Sequence, residues 1–407
     1  MADSDEQDRA DDSEAVASEP VEDRSSDEGG ARRPAAIREA AIVAVALIAL
    51  LAIGSWWVKR AGRVDPDSSA RRVYAQYIGE KSCRECHPGI TAQHARAGHS
   101  RTLRPAASAP VAAILDGRKA SDPEHPGAEF AFHLSDGVLS TTRTAPDSSP
   151  ERLLLQYALG SGTHAVTFLT LQDGESSNAG ALESRLTWFH EGDHGRIGIT
   201  PGQEADSNTK RGVRTPRGRA LDPAETLKCL DCHTTVLSDV GPKRFDAETM
   251  IPTVTCERCH GPARAHVEAA RRGETSLAMP FGAGRETAEL EMKLCGHCHR
   301  LPEMAPPGAV RVDNHELARF QPVGLMQSAC WKGTKGELRC TTCHDPHTRT
   351  SNDLVRYENG CLRCHDAAPE RICSISPTPK SGCVGCHMPK RDAGQGILFT
   401  DHWIRIP

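Results

Sequence analysis

The stretch Cys340-Thr341-Thr342-Cys343-His344-Asp345-Pro346-His347 contains the pattern around which this chain is organised. Its core, Cys-x-x-Cys-His, occurs seven times in 407 residues. In chain order, motifs 1 to 7 are Cys83–His87, Cys229–His233, Cys256–His260, Cys295–His299, Cys340–His344, Cys361–His365 and Cys383–His387. They use fourteen of the sixteen cysteines, and this composition would produce far less than one copy by chance.

Cys-x-x-Cys-His is the attachment signal of c-type haem. The two thiols add to the vinyl groups of the haem, and the following histidine binds the iron from one side. We therefore expect seven covalently attached haems. The predicted thioether cysteines are Cys83, Cys86, Cys229, Cys232, Cys256, Cys259, Cys295, Cys298, Cys340, Cys343, Cys361, Cys364, Cys383 and Cys386. The predicted proximal iron ligands are His87, His233, His260, His299, His344, His365 and His387.

Structural zinc sites are the alternative interpretation of paired cysteines, because Cys-x-x-Cys also binds zinc. Zinc sites would combine two cysteine pairs, and they do not need a histidine after every second cysteine. The histidine is present in all seven copies here. The pattern therefore favours haem.

The composition limits how large a core the polypeptide can build. Hydrophobic residues make up 38% and aromatic residues 4% of the chain, which is little for a length of two or three domains. Haem groups are large and apolar, and they would supply much of the missing core. We expect a mainly α, haem-organised domain at 78–407, with extensive loops and short helices such as 262–272 and 286–293.

The long interval between motifs 1 and 2 contains the strand-like sequence. Phe130–Leu134 and Val138–Thr141 flank Asp136-Gly137, a pattern that predicts a β-hairpin. Alternating residues also occur at 153–159, 165–171 and 185–189. The sequence therefore predicts a small antiparallel β insert at about 128–200.

Three segments precede the predicted haem domain. Residues 1–36 form an acidic tail that we expect to be disordered, with twelve acidic residues and two arginines among the first thirty. Residues 37–58 contain a near-continuous apolar run long enough to cross a bilayer as a helix. A linker follows at 59–77. A cleaved signal peptide is the alternative, but no small-x-small site follows the run.

Haem attachment indicates where such a protein would lie, because c-type cytochromes mature on the outer face of the bacterial inner membrane. We therefore expect a single-pass inner-membrane protein with its haem domain in the periplasm. Basic residues flank both sides of the apolar run, so the charge distribution does not itself determine the orientation.

The sixth position on each iron decides what a haem can do. A second histidine produces an electron-transferring iron, whereas an open position lets a small molecule bind. The first candidates for distal ligands are His99, His164, His266, His347 and His402. Weaker candidates are His94, His190, His194, His297 and His315, while His125 and His133 are expected at the surface. Met279, Met304, Met326 and Met388 are expected to pack rather than to bind iron.

Cys330 and Cys373 lie outside the motifs. In an oxidising compartment, an even pair of remaining cysteines is typical of a disulfide. Two unpaired buried thiols are the alternative, because the sequence alone does not establish pairing.

Several stretches together resemble one group of proteins. They are CERCHGPARAH at 256–266, RFQPVGLMQSAC at 319–330, CTTCHDPH at 340–347, CVGCHMPKR at 383–391 and FTDHWIRIP at 399–407. These resemble multihaem c-type cytochromes related to the tetrahaem cytochrome of ammonia oxidisers and to pentahaem nitrite reductase. The resemblance extends over most of residues 78–407.

This resemblance implies closely stacked haem pairs with mostly bis-histidine ligation. It implies that His266, His347 and His402 bind irons other than those of their adjacent motifs, and that Cys330 pairs with Cys373. Two features depart from the group. No motif ends in lysine, as the catalytic motif of pentahaem nitrite reductase does, and the chain has only four tyrosines, which is few for hydroxylamine oxidation.

These observations favour an electron carrier whose partner is a quinol-linked membrane complex or a soluble periplasmic redox protein. An oxidoreductase that acts on a small nitrogen or sulfur compound at one open haem is the second hypothesis. A haem-stabilised structural module is the third. Nucleic acid is not expected as a partner, because basic residues are scattered and no readout motif occurs.

Overall fold

The computed structural model of the chain describes residues 73–146, 148–172, 180–207, 211–241, 244–274, 279, 281, 287–366, 373 and 382–407. The predicted acidic tail at 1–36, the apolar run at 37–58 and most of the linker lie outside the described residues.

The helices of the described residues are short. They are α1 (Glu80–Cys86), α2 (Pro88–His94), α3 (Pro110–Leu115), α4 (Pro223–His233), α5 (Cys256–His260), α6 (Arg264–Arg271), α7 (Ala288–His299), α8 (Gln321–Gln327), α9 (Ala329–Gly333), α10 (Leu354–His365) and α11 (Cys383–His387). Single 3-10 turns occur at His99–Arg101, Ala106–Ser108, Pro302–Met304, His315–Arg319 and Cys340–Thr342.

Strands are equally frequent in the described residues. They are β1 (Leu103–Pro105), β2 (Lys119–Ser121), β3 (Glu129–Ser135), β4 (Val138–Ala145), β5 (Ser148–Leu155), β6 (Tyr157–Leu159), β7 (Ala165–Leu171), β8 (Ala181–Ser184), β9 (Leu186–Phe189), β10 (Arg196–Ile199), β11 (Val213–Thr215), β12 (Gly218–Leu221), β13 (Thr234–Gly241), β14 (Arg244–Pro252), β15 (Lys390–Asp392) and β16 (Leu398–Thr400).

The expectation of a mainly α fold is wrong. The described residues form a mixed α and β structure with several antiparallel sheets, and strands run from Leu103 to Pro252 rather than only over about 128–200. A further hairpin, β15 and β16, follows motif 7. Many of the unexpected strands are only three or four residues long, so they contain too few residues for an alternating pattern to be visible.

The predicted β-hairpin is confirmed. Strands β3 and β4 pair from Glu129 with Thr144 to Ser135 with Val138. The turn residues Asp136 and Gly137 have φ values of 52° and 73°, the left-handed conformation that a tight two-residue turn requires. This hairpin forms the centre of a four-stranded sheet in the order β2-β3-β4-β5.

A second, eight-stranded sheet connects the β region to the motifs. Its path is β1-β6-β7-β8-β12-β11, and β9 pairs with both β7 and β10. Its apolar face contributes Leu103, Leu169 and Leu221 to a buried cluster that also contains Leu230 of motif 2. The side chain between the two cysteines of motif 2 is therefore part of the sheet's own core.

The predicted location as a single-pass inner-membrane protein is not supported. Within the described part of the chain, no helix is both long enough and apolar enough to span a bilayer. The helices that the structure describes are short because each ends at or near a haem motif or at a turn.

A buried ion network holds the β region together. Arg185 donates two hydrogen bonds to Asp122, with Nε to Oδ2 at 2.7 Å and Nη2 to Oδ1 at 3.0 Å. Arg185 also contacts Glu124 Oε2 at 2.7 Å and the carbonyl oxygen of Gln203 at 2.6 Å. The side chains of Arg185 and Asp122 are 3% and 1% exposed, so each charge depends on its partner.

This network determines the charge state of Asp122. Burial raises the pKa of its carboxyl, but hydrogen bonds from Arg185, from the Glu124 N–H and from His125 outweigh burial and lower the pKa from 3.8 to about 2. Because the folded pKa lies below the unfolded value, the charged carboxylate stabilises the fold above about pH 3.8. That contribution is lost as the pH falls from 3.8 towards about 2.

We expect the substitution Asp122→Asn to lower the free energy of unfolding by about 3 kcal/mol near neutral pH, because it leaves Arg185 buried with a weaker partner. The difference from the native protein should shrink towards zero as the pH approaches about 2. Denaturant unfolding followed by circular dichroism over this pH range measures it. Lys119→Ala is the control, since it removes an exposed ion pair with Glu129 that contributes less than about 1 kcal/mol. A difference that does not change with pH would contradict the prediction.

Candidate functional site

Each Cys-x-x-Cys-His motif lies in a short helix or at its C-terminal end. Motifs 1, 2, 4 and 6 lie at the ends of α1, α4, α7 and α10, and motifs 3 and 7 are α5 and α11. Motif 5 begins with the 3-10 turn Cys340–Thr342. Residues at i, i+3 and i+4 share one face of a helix. The helical turn therefore brings both thiols and the imidazole of a motif together.

Four motif histidines have a second histidine opposite them. The ring centroids are 6.4 Å apart for His87 and His266, 6.2 Å for His299 and His99, 6.0 Å for His260 and His347, and 6.1 Å for His344 and His402. All four partners belong to the five first candidates for distal ligands. The structure thus brings motifs 1, 4, 3 and 5 together with histidines from distant parts of the chain.

The spacing of these rings fits an iron between them. A histidine nitrogen binds a transition metal at about 2.0 Å, and the ring centroid lies about 1.1 Å behind that nitrogen, so two axial rings on one iron have centroids about 6 Å apart. The four observed distances, 6.0 to 6.4 Å, agree with this value. The residues present therefore fit haem iron with two axial histidines.

Hydrogen bonds at the second ring nitrogen orient many of these imidazoles. A histidine that binds a metal usually donates its other ring N–H to a carbonyl or carboxylate oxygen. Five of these histidines have a backbone carbonyl oxygen as the acceptor at Nδ1: Pro346 for His99 (3.2 Å), Thr102 for His233 (2.9 Å), Phe281 for His260 (2.9 Å), Arg405 for His387 (2.8 Å) and Thr400 for His402 (2.9 Å). Two have a side-chain oxygen: Oε1 of Gln321 for His299 (3.1 Å) and Oδ1 of Asp345 for His347 (3.0 Å). Each bond leaves Nε2 available to the iron.

Burial favours the uncharged form of four of these histidines. It lowers the pKa of His402 to about 4. The pKa values of His233, His299 and His344 also lie below the ordinary value, and burial is the main cause for each. Only a neutral imidazole can bind a metal. These rings are therefore in the form that iron needs.

Helix α8 passes very close to His402. A Cβ atom at Gly324 would lie 2.6 Å from the backbone nitrogen of Trp403 and 2.9 Å from the carbonyl carbon of His402. Any side chain at this position would push the C-terminal segment away. The glycine therefore lets the backbone hold His402 against His344.

His164 is the remaining member of the five first candidates for distal ligands, and its ring is in none of the four histidine pairs. Its ring centroid is 4.7 Å from the ring of Phe399 in β16, and burial, followed by Lys390 and His190, lowers its pKa. It therefore lies beside the hairpin that follows motif 7. Among the described residues, no second histidine ring faces His233 or His387 at the spacing of the four pairs.

Three of the weaker candidates have other contacts. His297 Nε2 lies 2.7 Å from Oδ2 of Asp231, a residue between the cysteines of motif 2. His190 packs against Trp188, with ring centroids 5.7 Å apart. His94 is buried 3.8 Å from Glu80. Whether any of the three binds an iron stays a prediction.

Cysteines of different motifs lie against one another. Side-chain interactions link Cys83 to Cys256, Cys232 to Cys298 and Cys295 to Cys340. Electrostatic interactions link Cys259 to Cys295, Cys343 to Cys361 and Cys361 to Cys383. The motifs therefore form one series of neighbours in the order 1, 3, 4, 5, 6, 7, with motif 2 beside motifs 3 and 4. Most of these thiols are half-buried, and Cys343 is exposed.

The two cysteines outside the motifs are free thiols in the structure. Burial raises the pKa of Cys330, and the cysteine that contributes to this shift is Cys364 of motif 6. Cys373 interacts with Cys383 of motif 7. Each therefore has a motif cysteine near it, and the disulfide between them stays a prediction.

The zinc alternative finds no support where the structure can be described. Structural zinc is held by four ligands. Within the described ranges, no group of three or more histidine, cysteine, aspartate or glutamate side chains is arranged to hold a metal ion.

Two family models match the chain. The model described as cytochrome c554 and c-prime matches residues 200–261, which contain motifs 2 and 3. The doubled CXXCH motif model matches residues 333–370, which contain motifs 5 and 6. The chain is a multihaem c-type cytochrome. The cytochrome therefore binds haem c covalently through its Cys-x-x-Cys-His motifs.

One relative and one solved structure are similar to parts of the cytochrome. The dissimilatory sulfite reductase MccA of Wolinella succinogenes is 23% identical over 185 residues, which are 36% of this chain. The match covers 24% of that protein, so the cytochrome spans about a quarter of its length. The crystal structure of the outer cell wall cytochrome OcwA matches with a TM-score of 0.45 and 15% identity, over 81% of this chain and 80% of that chain.

The sequence analysis missed most of the groups that orient the histidines. Asp345 was visible, because it stands two residues before His347 in the same turn. The carbonyls of Thr102 and Phe281 were not visible, since each comes from a segment far from the histidine that it orients. No local pattern marks a backbone carbonyl as an acceptor.

Covalent attachment makes a direct prediction. After denaturation in acidic organic solvent, haem should stay on the polypeptide, because thioether bonds do not depend on the fold. Mass spectrometry of the denatured chain measures the added mass. In the variant Cys298→Ser, motif 4 should hold haem through one thiol or lose it, and the control Cys330→Ser, which lies outside every motif, should retain the native haem content. Loss of all haem from the native chain on denaturation would contradict the prediction.

Proposed function

We propose that the cytochrome transfers electrons through seven covalently attached haems, one at each motif. The observation that carries this proposal is the continuous series of motif neighbours from motif 1 to motif 7. When bound, haem c supplies a one-electron iron couple at each motif. The polypeptide contributes fixed positions, burial and axial ligands, which set the potential of each couple.

Four of these haems are bis-histidine sites in this proposal. The distal ligands are His266 for motif 1, His99 for motif 4, His347 for motif 3 and His402 for motif 5, as the ring distances support. Two strong ligands leave no open position for a substrate. These four sites therefore serve electron transfer rather than catalysis.

Two short segments each carry histidines for two different haem sites. His266 follows motif 3 by six residues yet faces the histidine of motif 1. His347 follows motif 5 by three residues yet faces the histidine of motif 3. A distal ligand of one iron is thus tethered to the proximal ligand of another. This arrangement limits how far neighbouring irons can move relative to each other.

His164 is the distal ligand of motif 7 in this proposal. Its contact with Phe399 and its interaction with Lys390 support the assignment, because both residues lie in the hairpin that directly follows motif 7. The backbone carbonyl of His164 also accepts a hydrogen bond from the N–H of His190 at 2.8 Å, which ties it to strand β9.

The partner in this proposal is a quinol-linked membrane complex or a soluble redox protein. Either would exchange single electrons with an end of the motif series. Among the described residues, motifs 1 and 7 have one motif neighbour each and are the points where electrons could enter or leave.

Substoichiometric reduction of the oxidised protein tests the electron-transfer function. The oxidised protein is mixed with a fast reductant that supplies less than one electron per chain, and the visible spectrum is followed in time. We expect an initial reduction followed by a redistribution that does not depend on protein concentration, because the electron moves within one chain. Haems that keep their initial reduction level, or exchange only between chains, would contradict the proposal.

A distal-ligand variant tests the bis-histidine sites. We expect His347→Ala to convert one low-spin ferric haem into a high-spin haem, because motif 3 then keeps only its proximal ligand. Electron paramagnetic resonance of the oxidised protein measures the change. His133→Ala in the exposed part of β3 is the control and should leave the spectrum unchanged. An unchanged spectrum of His347→Ala would show that this histidine binds no iron.

A second candidate function is an oxidoreductase for a small nitrogen or sulfur compound. The observation that favours it is that, in the described part of the chain, neither His233 nor His387 faces a second histidine as the four pairs do. The similarity to a dissimilatory sulfite reductase makes sulfite a substrate to test. A high-spin signal of about one haem in the native protein that changes on adding sulfite, nitrite or hydroxylamine would support it. Entirely low-spin spectra would exclude it.

A further inference from the structure

Four haem motifs begin in a helix or turn whose N-cap residue makes no side-chain hydrogen bond to it, namely α1, α5, α11 and the 3-10 turn of motif 5. Three of these four receive an acceptor from a neighbouring motif. Helices α1 and α11 and the 3-10 turn of motif 5 have no side-chain hydrogen bond from their N-cap residues Gly79, Gly382 and Arg339. The first N–H groups of a helix have no partner within it and need an acceptor from elsewhere. Helices α4, α7 and α10, in contrast, are capped by the side chains of Asp222, Thr287 and Asp353.

A glutamate from a neighbouring motif helix supplies the missing acceptor at motif 5. Glu291 lies in α7, four residues before Cys295 of motif 4. Its Oε1 accepts the N–H of Thr341 at 2.9 Å, and its Oε2 accepts the Thr341 hydroxyl at 3.0 Å. Arg339 also donates to Oε2 at 3.3 Å. The carboxylate thus holds the start of motif 5 against the helix of motif 4.

The same arrangement occurs at two other motifs. Glu257 of motif 3 is 1% exposed and accepts the N–H groups of Ile78 and Gly79, at 3.1 and 2.9 Å, in the two residues directly before α1. Glu358, three residues before Cys361 of motif 6, is 4% exposed and accepts the N–H of Val384 in motif 7 at 3.4 Å.

Each glutamate bridges motifs whose cysteines also interact. The side chains of Cys83 and Cys256 interact between motifs 1 and 3, and those of Cys295 and Cys340 interact between motifs 4 and 5. Motifs 6 and 7 interact electrostatically through their first cysteines. The bridging carboxylate and the thiol contact are independent observations of the same three pairs.

We propose that Glu257, Glu291 and Glu358 are positioning residues that hold the motifs of each pair in a fixed relation. This inference rests on the proposed electron-transfer function, because the fixed relation sets the separation over which electrons pass. Each glutamate also brings a negative charge close to two haem sites. A nearby carboxylate stabilises the oxidised iron and so lowers the reduction potential of both.

Glu291 is the best position for a test, because its helix contains a matched control. Glu289 lies two residues earlier in α7, and its side chain is 75% exposed and paired with Lys293. The full-length, haem-loaded protein is prepared as Glu291→Ala, Glu291→Gln and Glu289→Gln. Haem content is measured first for each variant.

Three measurements follow. In Glu291→Ala, we expect faster hydrogen exchange at the Thr341 amide and slower electron redistribution than in the native protein, because the start of motif 5 is no longer held against the helix of motif 4. In both Glu291 variants, the reduction potentials of two haems should rise, since the negative charge is gone. Glu289→Gln should match the native protein in all three measurements.

Glu291→Gln keeps the shape of the side chain and an oxygen acceptor, so it decides the outcome if Glu291→Ala binds fewer haems. Unchanged potentials in Glu291→Gln, or an unchanged Thr341 exchange rate in a fully loaded Glu291→Ala, would overturn the inference. A different set of results is expected if the protein does not transfer electrons between its haems. In that case the native protein would show no redistribution, while the exchange rate and the potentials would still report on the role of Glu291.

Discussion

The structure depends on the short helical turn that carries two cysteines and a histidine on one face. Haem attachment fixes the two cysteines and the histidine relative to one flat haem, so the three side chains must lie within one short turn. The turn then cannot move independently of its neighbours. Neighbouring turns lie close together, and the helices that carry a motif end at it. Four motif histidines have a second histidine ring about 6 Å away, which helix α6, two turns and the C-terminal segment supply.

Polar groups do most of the positioning at these sites. Imidazoles such as His402 are buried and neutral, and a backbone carbonyl determines which ring nitrogen is free for the iron. Carboxylates such as Glu257 are buried because they satisfy backbone N–H groups of a neighbouring motif. These hydrogen bonds orient the imidazoles and the motifs, in addition to any stability that they contribute to the fold. A displaced histidine or motif would alter the potential of a haem or its distance from the next one.

The β region serves the motifs rather than forming a separate module. Its sheet shares a core with Leu230 of motif 2, and the carbonyl of Thr102, just before β1, orients His233 of the same motif. Arg196 of β10 donates to the carbonyl of Gln395 at 2.9 Å, in the loop of the hairpin that follows motif 7. The buried pair of Arg185 and Asp122 keeps this region rigid enough to act as a support. Its extent explains how a chain with few aromatic residues still encloses its sites.

The sequence by itself determined where haem attaches, because the spacing of Cys-x-x-Cys-His is local and its chemistry needs no other part of the chain. It also identified the histidines that lie opposite His87, His260, His299 and His344, as four of its five first candidates among the twelve histidines that remain once the motif histidines are assigned. Only the tertiary structure decided which histidine faces which motif, as His99 and His299 show, because the two rings of a pair belong to distant segments that packing brings together. The number of strands likewise emerged only in the fold, because strands of three or four residues become stable through pairing and leave no periodic pattern of their own.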